Sequence, residues 1–150
     1  MTRSHAFNLL RRVRGELDAG RFAVTEALRA TNEDPQFRQA ASRSGVSEGE
    51  LRRCGQNLEI TFIMRLFSEF EAVLRDFWTA TVRPTRPEMA VLMNSIAARR
   101  GISPAHLAAA HAIREFRNDI IHENMRGLRF TFSDCAHDLG KYLSWLPEQW

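Results

Sequence analysis

From Ser47 to Thr81 the chain contains no proline, and within this stretch Ile63, Leu66, Phe67, Phe70, Val73, Leu74 and Phe77 recur three or four residues apart. That period lays every one of them on a single stripe of an α-helix, whereas a strand would throw them onto alternating faces. Ser47 followed three residues later by Glu50 forms a capping-box pattern that starts the helix. Gly55 marks a possible bend, and Pro84 and Pro87 stop it. A helix with so wide an apolar stripe is stable only when other helices cover it. The fold class implied is therefore all-α.

The rest of the chain supplies those partners. Phe7, Leu10, Val13, Leu17, Val24 and Leu28 predict a first helix over residues 5–30, weakened by Gly15 and Gly20 and ended by Asn32-Glu33-Asp34-Pro35. Short helices are expected over 36–43 and 88–99, the second closed by Gly101. Ser103 and Pro104 open a helix running to about Glu123. Met125 to Phe130 reads as a loop, and a last helix spans about 133–145, with Leu139, Leu143 and Leu146 turned to the core. No repeat or linker divides residues 1–150. The expectation is one domain, an up-and-down bundle of four to five main helices with short accessory helices.

Composition excludes several classes. Cys54 and Cys135 stand far apart with no C-x-x-C pair, so neither a metal site nor a redox motif is indicated, each thiol reads as buried or inert, and a reducing cytoplasm fits. No cofactor motif occurs. Residues 1–14 alternate apolar and basic residues, unlike a secretory leader, and no run suits a membrane span. The formal charge is +3, carried by arginine, with Lys141 the only lysine. This suits a polyanionic partner without requiring one.

The helix over 103–123 carries the most chemistry. Ala105, Ala109, Ala112, Ile113, Phe116 and Ile120 form its core face. On the other side His111, Glu115, Asn118 and His122 stack in one row, at spacings that make neighbours on a helix. Arg114 borders the row. Leu107 and Ile121 also fall outside the core face, which suggests that a second subunit covers this surface. Arg117 lies five residues before His122, about 140° away on an ideal helix, so the two converge only through arginine's length or a helix end near His122. No acidic residue stands three or four positions from Arg117 to pair with it. Imidazole exchanges protons near neutrality, and guanidinium holds a phosphate or the charge developing on it. RNA brings its own 2′-hydroxyl nucleophile, so these groups suffice for cleavage without a metal.

Arg117-Asn118 followed at the spacing R-x4-H by His122, with Phe116 before and Glu123 after, on the penultimate long helix, resembles the signature of the HEPN superfamily. Phe70-Glu71-x-x-Leu74-Arg75-Asp76-Phe77 is similar to a stretch that its members often carry on the earlier long helix. The resemblance covers roughly residues 47–146. It implies a metal-independent endoribonuclease, usually a homodimer with both motifs in a shared cleft, and often a toxin with a cognate antitoxin or a phage-defence effector. His122 would then be the acid/base, Arg117 the phosphate binder and Asn118 the orienting residue. Glu69 or Glu71 would support the site, with Glu115 and His111 beside it. Asn124 stands where one branch of the family has a modified tyrosine, so that regulation is not expected.

Simpler roles stand beside these. Glu71 can pair with Arg75 and, in a weaker orientation, Glu69 with Arg65; His111 can pair with Glu115; His122 can complement its own helix dipole. Arg114, Arg126 and Arg129 are the candidate RNA-phosphate contacts, whereas Arg11-Arg12-x-Arg14, Arg52-Arg53 and Arg99-Arg100 read as solvated faces, as do His137 and Asp138. Trp145 and Trp150 suit either core or interface. The alternative to an enzyme is a non-catalytic HEPN-like module that uses the same face to bind or scaffold.

Overall fold

The computed structural model describes residues 1–122 and 129–150. Among them are six α-helices and no strand: α1 Arg3–Glu33, α2 Pro35–Arg43, α3 Glu48–Thr81, α4 Met89–Arg100, α5 Pro104–Ile121 and α6 Phe132–Leu143. The helix ends follow local chemistry. Ser47 accepts from the Glu50 amide, and the Glu50 carboxylate accepts in return from the Ser47 amide. Thr131 and Asp134 close the same reciprocal box at the start of α6. Asp34 ends α1 and caps α2, with Pro35 in its first turn.

The sequence-based expectations hold for α3, whose apolar stripe is buried from Ile63 to Phe77. They change elsewhere. α1 is longer than residues 5–30, and α6 stops before Trp145. α3 runs unbroken through Gly55. The Cα face of Gly55 meets Val24, and Gly20 meets Leu58, so the two glycines let α1 and α3 approach closely. A Cβ on Gly55 would lie 3.2 Å from Val24 Cγ1, tighter than ordinary contact. Both helices absorb the propensity loss because their packing supplies more than propensity costs.

The register of the bundle is written in its ion pairs. Arg12 meets Glu69 at 3.2 Å, Glu16 meets Arg65 at 2.7 Å and Arg21 meets Glu59 at 2.5 Å. Numbers rise on α1 as they fall on α3, so the two run antiparallel. α6 runs antiparallel to α1 as well, since Gly140 lies by Phe7 and Ser133 by Arg14. α5 and α6 form a second antiparallel pair, with Phe116 against Phe130 at one end and His106 against Trp145 at the other. After α3 the chain doubles back along it: Trp78 Nε1 donates to Thr85 and Arg75 to the Pro87 carbonyl. The buried side chains of α1, α3, α4, α5 and α6 form one cluster, in which Tyr142 sits edge-on to Phe70 and donates to the Met93 carbonyl at 2.7 Å. No helix among the described residues is long and apolar enough to cross a membrane.

Glu59 ties the start of α6 to α3. Its Oε1 accepts from the Phe132 amide at 2.7 Å, while Oε2 holds Arg21. This fixes the end of the bundle at which α5 stops and α6 begins.

Candidate functional site

α5 ends at His122, which caps the helix with φ −90° and ψ 11° and donates its amide to the Asn118 carbonyl at 3.0 Å. The imidazole is exposed, as is Ile121 beside it. Because the His122 amide still makes the helical bond, His122 keeps the helical offset from Arg117, and the length of the arginine side chain is what would let the two share a ligand. No hydrogen bond joins the two residues among those described. Arg117 instead reaches back: its Nη1 donates to Asn118 Oδ1 at 3.1 Å, and its guanidinium carbon lies 5.9 Å from the centre of the Phe67 ring on α3. Arg117 Nε is buried without an acceptor, and no carboxylate lies within ion-pair reach of this side chain among the described residues. The Asn118 side chain thus gives its Oδ1 to Arg117.

The neighbouring cations differ. Arg114 Nε is also buried without an acceptor, and its Nη2 reaches Glu115 at only 3.6 Å. Arg129 pairs with Asp119 at 3.5 Å, which ties the residues just before α6 to α5. Arg126, Glu123 and Asn124 lie outside the described residues. Arg114, Arg117, Asn118 and Arg129 thus gather around the last turns of α5 with His122 at the tip.

Other expected members are elsewhere. Glu69 faces α1 and bonds Arg12, correcting its assignment to Arg65, which pairs with Glu16. Glu71 does pair with Arg75, at 2.6 Å. It stands one helical turn beyond Phe67 on the same face of α3. His111 does not pair with Glu115; its Nε2 meets Asn94 Oδ1 of α4 at 2.8 Å. Burial first, and the Arg114 charge second, push the His111 imidazole below the ordinary histidine value against the opposing charge of Glu115. Glu115 is exposed.

The core face of α5 is also rotated from expectation. Ala105 is exposed and Ala110 is buried, while Leu107 packs against the core. Leu107 therefore no longer argues for a covered outer face; Ile121, 45% exposed, still does. Cys54 is exposed, not buried, whereas Cys135 is fully buried. Among the described residues no three His, Cys, Asp or Glu side chains converge as metal ligands would.

Sequence reasoning missed Phe67 as the ring beneath Arg117 and Asn94 as the partner of His111. Both sit on helices whose facing registers no local pattern encodes. Comparison with protein-family models, with curated proteins and with solved structures finds no match to the chain.

Proposed function

We propose that this chain is a HEPN-type endoribonuclease that cleaves RNA without a metal, through Arg117 and His122, as a toxin or phage-defence effector. The observation that carries the reading is the state of Arg117. A guanidinium with a buried, unmatched Nε and no carboxylate among the described residues is a costly arrangement for a merely structural arginine. A phosphate supplies the counter-charge that no described residue gives it. His122, whose imidazole is exposed, is the histidine nearest along the helix, and a general acid/base accelerates a reaction by about 10²–10⁴-fold.

In this reaction His122 takes the proton of a ribose 2′-hydroxyl. The oxygen attacks the adjacent phosphorus, the bond to the 5′-oxygen breaks, and a 2′,3′-cyclic phosphate and a 5′-hydroxyl result. Arg117 binds the charge that builds on the phosphoryl oxygens. A homodimer supplies a second histidine to protonate the leaving oxygen, and the exposed Ile121 offers that second copy an apolar contact beside the site. A cognate antitoxin would act by covering the same end.

One observation favours the non-catalytic binding module instead. Glu69 and Glu71 are both held in ion pairs, so neither stands free to support the acid/base. Purified protein incubated with total tRNA in EDTA, beside His122→Ala, decides between them. Cyclic-phosphate fragments from the unmodified chain alone are the expected result. Intact RNA in both, from folded dimeric protein, would transfer the assignment to the binding module.

A further inference from the structure

We infer that the groove between α1 and α6 binds the phosphodiester backbone of the RNA outside the cleavage centre, a role that rests on the ribonuclease reading above. Arg11 and Arg14 line one wall, Ser133 and His137 the other, and Phe7 and Leu10 lie along its floor. Arg11 to Arg14 and Ser133 to His137 each cover about one helical turn, roughly 5 Å, of a groove that follows α1 for about two turns from Phe7 to Arg14. A trough of that form holds an extended anionic chain lengthwise and offers no closed pocket for a small ligand.

Charge matching separates Arg11 and Arg14 from their neighbours. Arg3, Arg12, Arg21 and Arg29 of α1 each meet a carboxylate: Glu148, Glu69, Glu59 and Glu26 respectively. Arg11 and Arg14 meet none among the described residues. The acids nearest on α6 do not line the groove, and Asp134 is spent on its own helix cap, accepting from the Thr131 amide and hydroxyl. Two cations in one groove are therefore left without counter-charge among the described residues, on a helix whose other arginines are all matched.

Arg14 is also held ready. Its guanidinium carbon lies 5.2 Å from the centre of the buried Phe132 ring, and both of its Nη atoms sit 3.5 Å from Ser133 Oγ. The ring holds the guanidinium beside Ser133, and those long contacts leave donors of the fork for bidentate capture of a phosphate. Phe132 in turn is tied by its amide to Glu59. The groove thus opens at the end of the bundle that carries His122, on the far side of the start of α6.

The test uses the full chain carrying His122→Ala and a fluorescent single-stranded RNA with 2′-O-methyl groups throughout, which cannot be cleaved. Two phosphate contacts on a single strand contribute about −1.4 to the slope of log affinity against log salt. The variant Arg11→Gln with Arg14→Gln is expected to bind about tenfold or more weaker and to lose that part of the slope. Arg11→Lys with Arg14→Lys, which keeps the charge, is expected to retain most of the slope and serves as the control for folding. Glutamine and lysine variants that both bind with unchanged affinity and slope would overturn the groove, even if ordinary RNA is cleaved. Groove-dependent binding by a chain that never cleaves ordinary RNA would retire the ribonuclease reading and leave the groove standing.

Discussion

Replacing Arg117 by methionine sets the structural worth of this side chain against its functional worth. The substitution removes a buried, unmatched Nε, whose desolvation costs about 1–3 kcal/mol. It also removes the Nη1 bond to Asn118, worth about 1 kcal/mol, and the guanidinium's contact with the Phe67 ring, worth about 0.5–1 kcal/mol. Methionine keeps much of the apolar stem and adapts to the gap. These terms nearly cancel, so the stability of Arg117→Met is expected within about 1 kcal/mol of the unmodified chain. Breaking a true buried ion pair would cost about 3–5 kcal/mol. Urea unfolding followed by circular dichroism measures the difference, with the m-value checking that both chains unfold alike. RNA cleavage under the same conditions is expected to disappear. A loss of 3 kcal/mol or more would refute the reasoning, because it would mean that Arg117 neutralises an internal carboxylate.

Further outcomes follow from residues away from the site. Burial pushes the Cys135 thiol from its ordinary 9.0 up to about 12, so the unfolded chain ionises first as pH rises. Stability from this group is complete well below pH 9 and is lost as pH rises through 9, by about 1.4 kcal/mol at pH 10. Urea melts at pH 8 and 10 should show that part of the alkaline loss missing in Cys135→Ala; an equal loss in both chains would count against it. Gly15 has open space where a Cβ would stand, so Gly15→Ala should raise stability by about 0.5–1 kcal/mol. Gly55→Ala should gain less or nothing, since its Cβ would press on Val24; equal gains at both positions would refute the close α1–α3 contact.

The candidate site was partly legible before any fold. Arg117, Asn118 and His122 lie close in sequence on one helix, so their proximity needs only local geometry, and the absence of an acid near Arg117 along that helix could be read directly. The supporting carboxylates were not legible. Glu69 has Arg65 one turn before it, and either pairing is sterically open until α1 arrives and presents Arg12. In the same way the expected pairing of His111 with Glu115 gave way to Asn94, because α4 brings an amide to 2.8 Å. Arg11 and Arg14 read as solvated basic residues until α6 closed the groove beside them.

The amino-acid sequence by itself determined the helices: the apolar stripe of α3, the capping pair Ser47 and Glu50, the stop at Gly101 and the start at Ser103 and Pro104 are set within a few residues by period and hydrogen-bonding capacity. It also placed the Arg/His chemistry near the end of α5. Only the tertiary structure decided which residues those helices present to one another. That choice depends on crossing distance and register, which two glycines, Gly20 and Gly55, and three ion pairs between α1 and α3 fix at long range. It rotated Ala110 inward and Ala105 outward, seated Arg117 over Phe67, and left Arg11 and Arg14 without a counter-charge among the described residues. Side-chain partners of this kind are a property of packed pairs of helices, and no single helix carries the information.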